Sequence, residues 1–309
     1  MAIPLFRSAR FVDNVSANIE ALPADVEILV SDRHGHDDSI DQLERRHGHD
    51  PRLRFLRRFD GKTWVDHISD LLWEARGEFW RLMPHDDFSS REALEALADC
   101  LEAHPDTLLA YGPTTAVDLE GNRLPERDHL DPHPIHNDAP WHLGLILDSF
   151  SRGHFNGAFK GLVRRATLVE RGLRIRPTRD NEYAERMWLA ALGLVGRFRF
   201  VPDAPFVKRF HPYSAHAQWR RSAAHELSGH RVFLGYCKDL MRDPACTGGS
   251  APTPRGPHSC DSAWSPRRSI LPSLNPSYPA APRHPTAVRG PVGSTVYGTI
   301  GGPYTVSSI

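Results

Sequence analysis

No stretch of this 309-residue chain approaches the ~18 consecutive apolar residues that a membrane span requires. An excess of charge is missing too. The 38 basic residues balance 38 acidic ones, which removes the usual electrostatic ground for binding nucleic acid or a membrane surface. Cysteine is sparse: Cys100, Cys237, Cys246 and Cys260 are scattered with no C-x-x-C pair, so neither a zinc site nor a disulfide framework is predicted. The opening stretch, MAIPLFRSARFVDN, has no apolar core of signal-peptide length and already carries arginines. A soluble, cytoplasmic protein is the expectation. The 18 histidines are spread along the chain and read mostly as surface or hydrogen-bonded structural residues.

What is present is alternation. Phe11, Val15, Ile19 and Leu22 recur at helical spacing, and residues 26–32 (VEILVSD) form a short run that reads as a buried strand ending at Asp32. Residues 36–48 predict a second helix, with Asp37 and Asp38 as its caps. Residues 52–58 read as a strand, and residues 63–77 as a helix with Val65, Ile68, Leu72 and Ala75 on one face and Gly77 as its stop. Residues 78–83 (EFWRLM) are a strand. The helix over 89–105 has Ser89 and Glu92 at capping-box spacing, and residues 107–112 (TLLAYG) are the next strand. Strand and helix alternating over about 115 residues predict a mostly parallel sheet with helices on both faces. Such sheets bind ligands beyond the carboxyl ends of their strands. Asp32 and the adjacent Asp86 and Asp87 all stand at predicted strand ends.

The middle is less regular. Residues 121–142 are polar and proline-rich and read as a long loop. Residues 156–168 predict a strand leading into a short helix. A strong helix over 181–198 has Met187, Ala191, Leu194 and Val195 on one side, then a strand or hairpin ends at His211, and residues 223–243 form a last amphipathic helix. Composition then changes. Residues 244–309 hold 12 of the 26 prolines and no lysine or glutamate, a composition that cannot bury enough apolar surface to offset its ordering entropy. The predicted organisation is a folded domain over 1–240 and a disordered Pro/Gly/Ser-rich tail over 241–309.

The sharpest local feature is "RLMPHDDF", residues 81–88. Adjacent carboxylates repel, and a protein tolerates them best where a cation answers both. The plain reading is an acidic cluster favoured by the dipole of the following helix. His85 is read as facing solvent and is not counted as a ligand.

Taken in order, the strand ending in Asp32, "DPRLRFL" at 50–56, "ARGEFWRLMPHDDF" at 75–88, "LEAHPDTLLAYG" at 101–112, "GLVRRATL" and the helix followed by "GRFRFVPDAPFVKRFHP" resemble a family-2 glycosyltransferase of GT-A fold. The resemblance covers about residues 2–215. It implies a nucleotide-sugar donor, Mg²⁺ or Mn²⁺, and an inverting transfer to an acceptor hydroxyl on a saccharide or lipid-linked molecule. A role in cell-envelope polysaccharide synthesis and a place in the cytoplasm or at the inner membrane face go with it. Asp32 matches the family's nucleobase contact, and Asp86 and Asp87 match its D-x-D-type metal and diphosphate motif. Glu185 falls where the general base stands, and His211 falls near a position that in some members completes the metal shell. There are departures: Pro84 stands at the first position of the acidic motif, Ala184–Glu185 replaces Glu-Asp, and "DRHGHDDS" replaces a more acidic, Gly/Ser-rich turn.

Each residue has a structural reading beside the functional one. Asp32 suits a helix cap, Glu185 an exposed helical glutamate with Glu182 as its rival, and His211 a structural histidine. Arg164 and Arg165 suit a solvated face or a phosphate contact. Two other functions remain open. One is a nucleotidyltransferase, which usually needs a Gly-rich basic loop near the N-terminus, whereas "PLFRSARF" has no glycine. The other is a non-catalytic nucleotide-sugar-binding protein of the same fold.

Overall fold

The computed structural model describes residues 1–33, 35–58, 60, 62–130, 157–214 and 222–242. The chain divides into units Met1–Arg255 and Gly256–Ile309, and the second lies wholly outside the described residues. The tail predicted from residue 241 lies outside them from residue 243 onward, as does most of the loop predicted over 121–142.

The first half is an alternating α/β unit. Strands β1 (Ala2–Leu5), β2 (Ile28–Asp32) and β3 (Leu53–Arg57) are parallel, in the order β1-β2-β3. Helices α1 (Val12–Ala21) and α2 (Ser39–His47) connect them, and α3 (Trp64–Glu74) leads on to β4 (Phe79–Arg81). A parallel bridge from Ala2 to Leu82, with Met83 N donating to Ala2 O at 2.9 Å, carries this sheet onto the next. That sheet has the order β4-β8-β6-β9, where β6 is Thr107–Tyr111, β8 is Leu162–Arg164 and β9 is Arg197–Phe200. Only β8 runs antiparallel to its neighbours there. A small third sheet has the order β5-β10-β7 (β5 Phe88–Ser89, β7 Thr114–Val117, β10 Phe206–Arg209). Helices α4 (Arg91–Ala103), α5 (Arg165–Glu170), α6 (Ala184–Gly193) and α7 (Ala223–Arg242) complete the unit. Among the described residues no helix is long and apolar enough to cross a membrane.

Apolar faces of α1, α2 and α4 pack against one side of the sheets around Ile19, Leu43, Leu97 and Val30. On the other side α3 and α6 pack around Leu72, Trp80, Leu109 and Trp188. This two-sided cover is why strands such as β2 and β6 are buried at every residue.

Several local expectations shift. Helix α3 ends at Glu74 because Ala75 turns extended, two residues before Gly77. Ser90, not Ser89, caps α4, its Oγ accepting from Ala93 N, while Ser89 sits in β5. A Thr63–Asp66 capping box opens α3. Helix α6 is buried along all ten residues rather than on one face, because α7 packs on it as well: a Cβ at Gly229 of α7 would stand 3.0 Å from Met187 Cε. Residues 197–209 form no hairpin. Strand β9 pairs parallel with β6, and β10 parallel with β7.

Arg164 and Arg165 take neither role considered for them. Arg164 donates to the carbonyls of Thr107, Leu101 and His104, and Arg165 to those of Leu72 and Trp73. They satisfy the orphan carbonyls at the C-terminal ends of α4 and α3.

Candidate active site

The carboxyl ends of β1 and β4, the start of α3, the loop before β8, the start of α6 and the end of β10 enclose a cavity of about 800 Å³. Asp86, Asp87, Lys160, Glu185, Lys208 and His211 are among its lining residues. The site lies where open α/β sheets place their ligands.

The "HDD" turn is held from both sides. Asn14 and Asn18 of α1 donate to Asp87 O at 2.8 and 2.9 Å. Arg209 at the end of β10 donates through its amide to Asp87 Oδ1 at 3.0 Å and through Nη1 to Asp86 O at 3.0 Å. The two side chains then part company. Asp86 Oδ2 lies 2.9 Å from His211 Nε2, whereas Asp87 Oδ2 lies 3.9 Å from Lys160 Nζ. Burial raises both carboxyl pKa values. On Asp86 the hydrogen bond from His211 and the nearby His85 and Lys160 together outweigh burial, so its carboxyl is held down, while Asp87, also repelled by Asp86, is held up. His85 is half-buried rather than turned to solvent, its ring stacked on Phe11 at 5.0 Å between centroids.

Glu185 stands in the first turn of α6, 5% exposed, with Oε2 buried and lacking a hydrogen-bond partner. Burial pushes its carboxyl pKa up, against the pull of Arg186, Lys208 and Lys160. The preceding backbone turns sharply to deliver it: Asp180, Asn181 and Tyr183 all have positive φ, between 52° and 65°. These are left-handed conformations that side chains other than Asn and Asp rarely adopt. Glu182, the rival base, is also buried but does not line the cavity. Its Oε2 lies 4.0 Å from His225 Nδ1 of α7.

Asp32 is buried at the end of β2 and does not line the cavity, and its Oδ1 accepts from Gly35 N at 3.1 Å. On that side Lys62, Thr63, Trp64 and His67 form the wall instead.

Among the described residues no group of three His, Cys, Asp or Glu side chains could hold a metal ion. Of the predicted set Asp86, Asp87 and His211, the structure brings Asp86 and His211 together and turns Asp87 toward Lys160. Asp86 offers the oxygen donor a hard divalent cation prefers, and His211 a borderline nitrogen that would give up its hydrogen bond to Asp86 on ligating. Their 2.9 Å separation is close to the ~3.0 Å between adjacent ligands of an octahedral cation with bonds of ~2.1 Å. Two protein donors suit Mg²⁺ or Mn²⁺, which keep sites for water and substrate phosphate.

Sequence reasoning missed Lys160 and Lys208, although a signal was present. The chain has four lysines against 34 arginines. Lys62, Lys160 and Lys208, three of those four, line this one cavity.

No protein-family model matches the chain, and no curated protein matches it in sequence. Solved structures match it in fold. S. aureus TarS 1–349 in complex with UDP-GlcNAc aligns with a TM-score of 0.56 at 13% identity, over 76% of this chain and 65% of that one. The same protein in complex with UDP gives 0.52 at 13% identity, over 80% of this chain and 72% of that one. The chain thus spans just under two thirds of the first of these. The mannosyltransferase PcManGT from Pyrobaculum calidifontis, in complex with GDP-Man and Mn²⁺, aligns at a TM-score of 0.48 and 16% identity, over 81% of this chain and 75% of that one. The likeness to TarS is one of fold, and the fold is the GT-A type: a mostly parallel sheet with helices on both faces.

Proposed function

We propose that this chain is an inverting glycosyltransferase of family-2 type, with residues 1–240 as its catalytic domain, that moves a sugar from a nucleotide-sugar donor to an acceptor hydroxyl. The observation that carries the reading is the position of Glu185. A buried carboxylate with one unpartnered oxygen shares a cavity with an Asp–His pair and three lysines. Leaving such a group unsatisfied costs stability, and an acceptor hydroxyl is a partner that would satisfy it. The buried carboxylate favours catalysis over binding alone. A fold-mate in complex with UDP-GlcNAc and with UDP supports a nucleoside diphosphate leaving group.

In this reading the acceptor oxygen attacks the anomeric carbon, and Glu185 takes the acceptor's proton. The bond from that carbon to the diphosphate breaks, with its electron pair staying on the phosphate oxygen. Burial prepares Glu185 for the task by raising its proton affinity toward the working pH. Asp86 and His211 would hold Mg²⁺ or Mn²⁺, which when bound supplies Lewis-acid neutralisation of the diphosphate. Asp87 stands behind them, fixing the turn through the Arg209 amide. Envelope polysaccharide remains the proposed destination of the sugar.

The test is thermal shift of the full chain with UDP, GDP and dTDP, each with and without Mn²⁺. A ligand at 100 times its Kd adds ~2.7 kcal/mol, or roughly 5–10 °C for a domain of this size. One nucleoside diphosphate is expected to give such a shift, and transfer or hydrolysis of its sugar ester should follow. If none of the three moves the melting temperature under either condition, the donor reading is wrong.

A further inference from the structure

Two lysines that repel each other face the same cavity. Lys160 has a side chain only 11% exposed, and the charges that act on it are Asp87, Lys208, Asp86 and Glu185. Burial, with Lys208 adding to it, lowers its pKa to about 8, so the ammonium form still predominates at neutral pH. Half-buried Lys208, in β10, also acts on Asp87. Buried Arg81 holds the Lys160 loop by donating from Nε to Lys160 O at 2.8 Å. Asp87, Asp86 and Glu185 all attract Lys160, but burial holds the Asp87 and Glu185 carboxyls toward their neutral forms. An arriving anion of high charge is therefore well met by two ammonium groups on this cavity.

The choice of lysine is informative in a chain that uses arginine at 34 of its 38 basic positions. A guanidinium is a planar fork, whereas an ammonium is a compact point charge that fits a narrow niche beside a phosphate. Random placement does not account well for three of four lysines on one cavity.

We propose, resting on the glycosyltransferase reading above, that Lys160 and Lys208 form a diphosphate clamp that neutralises the leaving group independently of any metal. As the bond to the anomeric carbon breaks, the nucleoside diphosphate gains one negative charge. The two lysine side chains meet that charge, while the acceptor's proton goes to Glu185. Asp87, 3.9 Å from Lys160 Nζ, then keeps that side chain in place when the donor is gone.

Isothermal titration of the full chain with inorganic pyrophosphate in EDTA tests this. The wild-type chain should bind without metal. Lys160→Met should bind ~10–100-fold more weakly, the usual loss for a charged hydrogen bond, and Lys160→Arg should retain more affinity than Lys160→Met. Far-UV circular dichroism checks the fold. If Lys160→Met does not fold, Lys208→Met at the more exposed position reads the same loss. Absence of metal-free binding by the wild type overturns the clamp, and so do equal affinities for wild type and Lys160→Met, or equal losses in the Met and Arg variants. The two readings fail separately. Pyrophosphate binding with neither nucleoside diphosphate binding nor sugar transfer retires the glycosyltransferase, and transfer undiminished in Lys160→Met retires the clamp.

Discussion

Replacing Glu185 by Gln keeps its shape but removes its capacity to take a proton. General-base catalysis contributes ~10²–10⁴-fold, so transfer should fall by that factor, equivalent to ~2.7–5.5 kcal/mol of transition-state stabilisation. Nucleoside diphosphate affinity should change little, because the base addresses the acceptor. Stability should move the opposite way. Burial raises the Glu185 pKa above its ordinary 4.5, so between that value and the raised one the folded state binds more protons than the unfolded state. Stability then falls as pH rises through this window. The penalty is complete above the raised pKa and absent below 4.5. Glu185→Gln removes it, so the variant should melt higher than wild type at pH 7–8 and no higher at pH 4. Each unit of displacement corresponds to ~1.36 kcal/mol, and ~1 kcal/mol moves the melting temperature by about 2–4 °C at this size. The assay is transfer rate, nucleotide affinity and melting temperature on Glu185→Gln and Glu182→Gln side by side. Transfer at the wild-type rate in Glu185→Gln refutes the role, and joint loss of activity and stability at neutral pH marks a structural carboxylate instead. Loss of transfer in Glu182→Gln alone would move the base to Glu182, in the extended segment before α6.

Asp32→Ala should lower the melting temperature through loss of the Gly35 anchor; a ten- to hundred-fold loss of affinity in a nucleotide titration would support the nucleobase contact, and unchanged affinity would leave Asp32 as a turn anchor. Arg164→Ala should destabilise by about 1–3 kcal/mol in urea unfolding, since buried carbonyls of α4 lose their donor, with pyrophosphate affinity unchanged. Gly112→Ala should be among the most damaging single changes. A Cβ there would stand 1.8 Å from Ala204 O, so the backbone must move, at a cost of about 1–3 kcal/mol or more, read as a fall in urea midpoint.

The alternating strands and helices of the first half, and the placing of Asp32, Asp86 and Asp87 at strand ends, were legible because they rest on local periodicity and turn chemistry. Hydrophobic spacing reports which face of an element is buried, and it does so within a dozen residues. The short strands β1, β5 and β7 were not read from the sequence, and α6 lost its expected polar face to a helix some forty residues further on. What each site residue does was decided by the tertiary structure. Asp86 meets His211 across 125 positions of sequence, and Asp87 meets Lys160 from a different element. No local pattern distinguishes those two adjacent aspartates, nor Glu185 on the cavity from Glu182 turned toward His225. Partner choice at these positions is set by which strand ends converge, and burial then sets the charge each group carries. Both are properties of the assembled fold.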